Sequence, residues 1–257
     1  MLRSVNDLEG YAIEASDGKV GKVIEFYFDD EKWTVRYLLP DTGGWLTGRK
    51  VLISPSALGD IDWDSRQLHV DMPKKRVENS PDIDTDKPVS RQHERAYYDY
   101  YSYPYYWGGP YLWGPVGYPR YPAAYPAAGP DTVQKEIDSA LKEQSDVHLR
   151  STHEVGDYYI EATDGDIGHV EDFLIDDETW TIRYMVIDTR NWWPGKKVLV
   201  SPEWIRRVSW TDSKVSVDLS RDAIKNGPEY NESGPLNRDY EKQLYEHHRR
   251  PEYWGDT

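Results

Sequence analysis

The sequence predicts an all-β protein with short helices: two small antiparallel β-barrels in tandem, joined by an aromatic Pro/Gly-rich linker and a helix. Three observations carry that expectation. The stretch Ile13-Glu14-Ala15-Ser16-Asp17-Gly18-Lys19-Val20-Gly21-Lys22-Val23 returns as Ile160-Glu161-Ala162-Thr163-Asp164-Gly165-Asp166-Ile167-Gly168-His169-Val170, displaced by 147 positions. Each copy centres on an Asp-Gly pair between apolar runs, a strong hairpin signal because glycine accepts the positive φ of the turn. About six short apolar and aromatic runs, separated by turn residues, fill each copy, as in small barrels and sandwiches.

The elements follow in order. Residues 2–108 align with 149–255 without a gap and match at roughly 41 of 107 positions, so the unit has been duplicated. Ser4-x-x-Asp7 and Ser151-x-x-Glu154 have the spacing of a capping box and predict a helical turn at each entrance. After the hairpin, Val23 to Phe28 and Val170 to Ile175 read as strands. Their apolar spacing breaks strict alternation, which predicts a bulge or a crossing between faces. Acidic turns, Asp29-Asp30-Glu31 and Asp176-Asp177-Glu178, lead to strands opening at Trp33 and Trp180. Ser54-Pro55 and Ser201-Pro202 predict one helical turn each, because proline suits the first helical position. Ile61 to Trp63 with Leu68 to Val70, and Val208 to Trp210 with Val215 to Val217, close the barrels.

Barrel 1 is thus expected at 2–80 with an aromatic arm at 81–108, and barrel 2 at 149–227 with a helical arm at 228–257. A helix is expected over Asn237 to His247; the tyrosines of the first arm make it a poorer helix former. Between the copies, 109–130 reads as an extended Gly/Pro/Tyr-rich linker and 131–146 as a helix with one narrow apolar stripe.

Composition narrows the function. With no cysteine the chain has no disulfide, thiol nucleophile or Cys-based zinc site, and a cytoplasmic location is expected. A net charge of −15 opposes nucleic acid and anionic membrane surfaces, which attract clustered Lys and Arg. No apolar stretch is long enough for direct membrane insertion or for a leader segment. The 21 Tyr and 11 Trp, against 3 Phe, suit interfaces as well as cores.

The Asp-Gly-x-[Val/Ile]-Gly-x-Val turn, the Arg-Tyr of the third strand (Arg36-Tyr37, Arg183-Tyr184) and the Gly-[Arg/Lys]-Lys-Val-Leu-[Ile/Val]-x-Pro segment resemble the PRC-barrel family. Its members include the cytoplasmic domain of the photosynthetic reaction-centre H subunit and the C-terminal domain of the ribosome maturation factor. The resemblance implies a small all-β barrel used for interaction and assembly, with no shared catalytic residues. The H subunit's N-terminal membrane helix has no counterpart here, and the maturation factor pairs its barrel with a different domain.

The chemistry expected is correspondingly sparse: no catalytic residue, no cofactor and no metal. The acidic triplets lack the spaced pattern of a calcium loop, and the histidines lack the i, i+4 spacing of a helical metal pair. No nucleophile elbow or phosphate-cradling glycine loop occurs. Trp45, Trp192 and Trp193 sit in loops and are expected partner contacts, as are Trp107 and Trp254 at the arm ends. Arg36 and Arg183 fit a pocket or interface, or a cross-strand pairing with an acidic neighbour. The function expected is a non-enzymatic scaffold or protein-interaction protein whose barrels form a pseudo-twofold pair, its partners a protein of unidentified kind or a second copy of itself. An accessory subunit of a membrane electron-transfer complex is the alternative, and a metal-dependent enzyme a remote one.

Overall fold

A computed structural model describes residues 1–46, 49–83, 89–121, 148–189, 196–232, 234 and 236–255. The expected linker helix, linker residues 122–130 and the Trp192-Trp193 loop lie outside the described residues. The chain is mostly β with short helices. Its strands are β1 (Leu2–Ser4), β2 (Ala12–Ala15), β3 (Gly18–Asp29), β4 (Thr34–Asp41), β5 (Leu58–Asp62), β6 (Gln67–Val70), β7 (Leu149–Ser151), β8 (Tyr159–Ala162), β9 (Gly165–Asp176), β10 (Ile182–Asp188), β11 (Lys197–Val200), β12 (Ile205–Ser209) and β13 (Lys214–Val217).

Two compact units result. The first comprises Asp7–Thr152 with Asp177–Thr181, the second Met1–Asn6, His153–Asp176 and Ile182–Thr257. The first unit's sheet runs β4-β3-β2-β6-β5, with β7 also on β3. The second runs β11-β10-β9-β8-β13-β12, with β1 on β9. The expected hairpins join β2 to β3 and β8 to β9, with Gly18 and Gly165 at φ +138° and +137°. Asp17 and Asp164 also reach across their units. Their Oδ1 atoms accept from the first backbone N–H of helices Lys74–Glu78 and Arg221–Lys225, each at 2.7 Å. These carboxylates satisfy donors that a helix start leaves without partners.

The broken alternation of the long strands comes from register shifts between Val23 and Glu25 and between Tyr27 and Phe28 in β3. Gly21 and Gly168 sit where a Cβ would collide with the carbonyl of Asp41 or Asp188, so only glycine lets the neighbouring strand approach. Trp33 and Trp180 do not open strands. They occupy left-handed turns, φ 49° and 61°, costly for bulky residues and held here by burial. Trp33 stacks on Phe28 at 5.1 Å, and Trp180 lies 6.4 Å from Phe26. Ser54 and Ser201 cap single 3-10 turns, as the Ser-Pro pairs predicted.

Both arms are helical, Arg91–Tyr101 and Arg238–His248, capped by Ser90 and Asn237. The first forms despite its tyrosines because Tyr97, Tyr98 and Tyr101 are all buried, and packing outweighs the small propensity differences.

Strand exchange at the entrances was not expected. β1 precedes the first copy yet pairs in the second unit: Leu2 with Asp176, Arg3 with Ile175, Ser4 with Leu174. β7 precedes the second copy yet pairs in the first: Leu149 with Asp29, Arg150 with Phe28, Ser151 with Tyr27. The two registers are the same after the 147-residue displacement. Side chains fasten both strands. The Ser4 hydroxyl donates to Asp172 at 2.5 Å, Ser151 donates to Glu25, and Arg150 Nε lies 3.0 Å from Asp30. The units therefore depart from the copy boundaries 2–80 and 149–227 at their first strands.

Cutting the chain at a protease site inserted between residues 122 and 147 should leave two fragments that co-elute on gel filtration, because each donates a strand to the other's sheet. Separation without denaturant would contradict the exchange. Burial against Trp204, 5.0 Å away, pushes His248 down to about 4, with His247 and Arg250 adding repulsion. Above its ordinary value of 6.5 both folded and unfolded states are neutral and its contribution is fully present. Stability is lost as pH falls from about 6.5 toward 4, where the unfolded chain takes up the proton first. His248→Phe should flatten that part of the urea midpoint against pH; parallel curves for the two proteins would refute the assignment.

Candidate functional site

The recurring constellation in this protein is a buried carboxylate on each arm helix. In the first unit Glu94 is fully buried. Its Oε1 accepts from the Tyr37 hydroxyl at 3.1 Å and the Tyr106 hydroxyl at 2.9 Å. Its Oε2 lies 2.7 Å from His148 Nε2 and 3.0 Å from the Arg91 guanidinium. An ionised carboxylate stripped of water costs several kcal/mol unless every lone pair finds a donor. Here β4, the arm's end, the helix itself and the segment before β7 each supply one. Burial, reinforced by the Glu94 charge, pushes the Tyr37 and Tyr106 phenols well above their ordinary range, so both stay protonated donors. In the second unit Glu241 is held the same way, by Tyr184 and Tyr253 at 2.9 Å and Arg238 at 3.0 Å. The position equivalent to His148 is Met1.

Beside Glu94 lies a second buried charge. Arg36 is 1% exposed, its Nε 2.6 Å from Asp29 Oδ2 on the adjoining strand and its Nη1 donating to the Leu112 carbonyl at 2.9 Å. Its guanidinium lies between two rings, 3.9 Å from the Tyr106 centroid and 4.6 Å from that of Trp113. Burial opposes the Arg36 charge, but Asp29 and the surrounding tyrosines outweigh it and raise its pKa. Trp113 is wholly buried and donates its indole N–H to the Thr179 carbonyl at 2.9 Å. It sits in a tight turn in which Tyr111 bridges Gly114 and Trp113 bridges Val116. Gly114 has φ +75°, and a Cβ there would strike the Tyr105 carbonyl. Linker residues 109–121 are thus folded onto the unit and not extended.

The expected contact residues divide. Arg36 is interior, paired across strands with Asp29, and does not face a partner. Arg183 is half-buried with its guanidinium 4.2 Å over Tyr253. Trp45 is half-buried against its own unit, its indole donating to the Val20 carbonyl at 2.6 Å with the Lys74 ammonium 4.5 Å over the ring. Trp107 stacks on Tyr105 at 4.8 Å under Arg91, and Trp254 packs edge-on to Tyr245 at 5.2 Å under Arg238; both keep partly exposed surface. Trp192 and Trp193 lie outside the described residues. Sequence reasoning missed Glu94 and Glu241. The repeated Arg-x-x-Glu of both arms, followed by Tyr-Trp-Gly, was the available signal.

Two concavities open on the first unit. One of about 310 Å³ is lined by Pro55, Leu58, Ile61, Tyr118, Arg120 and Trp180. A shallower groove of about 700 Å³ runs past Asp60, Asp62, Trp63, Asp64 and His69. Among the described residues no group of three His, Cys, Asp or Glu is placed to hold a metal ion, and no helix is long and apolar enough to cross a membrane.

Short strands in the order β4-β3-β2-β6-β5, a 3-10 turn after the Ser-Pro pair and satisfied interior charges define a small-barrel domain protein. Residues 2–77 match the family model described as the PRC-barrel domain, so that segment is a PRC-barrel domain. No curated protein matches the chain.

Glu94→Ala and Arg36→Ala should each cost about 3–5 kcal/mol in urea unfolding, since either leaves a buried charge without its partner. A loss below about 1 kcal/mol, the range of exposed pairs, would show that these charges are solvated.

Proposed function

We propose that the protein is a non-enzymatic binding scaffold made of two PRC-type barrels, each carrying an aromatic arm, and tied into an intramolecular pair by the exchanged strands. The observation that carries this reading is how the recurring polar side chains are used. Glu94 and Glu241 and their tyrosine and arginine partners are committed to pinning the arms to the sheets. Aromatic surface at the arm ends, Trp107 and Trp254, stays partly open, and such residues are typical anchors at interfaces. The run β10-β9-β8-β13-β12 repeats the order β4-β3-β2-β6-β5, which supports a barrel of the same type in the second copy. The acidic charge favours a protein partner over nucleic acid.

The test is affinity capture of the tagged full chain from its own cells with mass-spectrometric identification. Proteins held by the wild type should drop at least tenfold in recovery for Trp107→Ala with Trp254→Ala. Unchanged recovery with intact circular dichroism would remove the arms from the interface. A thermal shift with Ca²⁺, Mg²⁺ or Zn²⁺ would instead favour metal-dependent chemistry, because a ligand of the folded state must raise its stability.

A further inference from the structure

The two copies differ at the arginine of β4 and β10. In the first unit the Arg36 guanidinium is closed on one face by Tyr106 and on the other by Trp113, and it donates hydrogen bonds to the Leu112 carbonyl and to Asp29. In the second unit Arg183 keeps the first ring, Tyr253 at 4.2 Å, but no second ring among the described residues covers its other face. Its Nε is buried and has no hydrogen-bond partner among them, and a buried N–H left without an acceptor costs about 1–3 kcal/mol. Both Arg183 and Tyr253 are partly exposed, whereas Arg36, Tyr106 and Trp113 are not. The hydrogen bond beneath recurs: Glu241 holds Tyr253 as Glu94 holds Tyr106, each at 2.9 Å.

We propose that the Arg183–Tyr253 face is a docking site for a partner segment that carries a tryptophan on a tight glycine-containing turn, of the same kind as Tyr111–Val116. The first unit supplies the template. There the turn lays an indole on the guanidinium and offers it a backbone carbonyl, and glycine at position 114 lets the turn lie against the arm. At Arg183 the incoming indole covers the open face of the cation, and a carbonyl of the turn receives a guanidinium N–H. Arg238, 4.2 Å over Trp254 and half exposed, borders the site and adds positive charge to an otherwise acidic protein. The proposal rests on the binding-scaffold reading and names the chemistry of its partner.

The probe is a fluorescein-labelled peptide of residues 109–121, titrated into the full chain and followed by anisotropy. Saturable binding is expected, weakened at least tenfold by Arg183→Ala in the protein and by Trp113→Ala in the peptide. Arg183→Lys, which keeps the charge without the planar face, should also weaken it. A second peptide with benzoylphenylalanine in place of Trp113 should cross-link near Tyr253. The inference is overturned by absence of binding, by binding that Arg183→Ala leaves unchanged, or by cross-links confined to the neighbourhood of Tyr106, which would mean exchange into the first unit. Capture of a partner through the arms with no peptide binding would sink this inference and leave the scaffold reading standing.

Discussion

One buried carboxylate on each arm is the constraint from which the surrounding structure follows. Glu94 and Glu241 are shielded from water, and a buried carboxyl group needs donors that converge from several directions. Two phenols and a guanidinium do so in each unit. That requirement fixes a tyrosine on β4 or β10, a second at the arm's end and an arginine one helical turn before the acid. The carboxylate thereby ties the arm helix to the sheet through the strand tyrosine and to the arm's own end through the second tyrosine, whose ring lies against the strand arginine.

On that shared frame the two copies have diverged. The first adds His148 to the carboxylate and a tryptophan turn over the arginine, and its arm packs through a chain of tyrosines. The second keeps the minimal set of donors and carries leucine and histidine where the first has Tyr97 and Tyr101. One unit has filled its interior. The other retains the carboxylate with its two phenols and guanidinium, and among the described residues no second ring covers its strand arginine.

Much of the fold was legible because local chemistry and tertiary structure agree. Asp17-Gly18 marks its turn through glycine's φ, Ser54-Pro55 its 3-10 turn through a cap and a preset φ, and Asn237 its helix through a side-chain acceptor. The failures have physical causes too. β1 and β7 are three residues long, too short for a periodic signal, and their partners lie on the opposite copy. Trp33 has strand propensity, but the turn that positions it is set by packing on Phe28. Loop position suggests exposure for Trp45, and for Arg36 the sequence leaves an interface and a cross-strand pairing with an acid equally open. Their burial depends on Asp29, Val20 and residues 112–113, which no local pattern brings together. Glu94 looked like one more acid in an acidic chain, since a single residue type does not announce how many donors will surround it.

The exchanged strands also set an order of events during synthesis. The first unit's β3 leaves the ribosome long before Leu149–Ser151 exists to pair with it, a delay on the order of ten seconds at ordinary elongation rates. Throughout that interval the Tyr27–Asp29 edge carries backbone donors and acceptors without their final partner, and Glu94 waits for His148. Completion of the amino-terminal half therefore belongs to the moment when the second copy begins to emerge, and the nascent chain passes through a stage in which an unfinished sheet edge is open to any other strand that meets it.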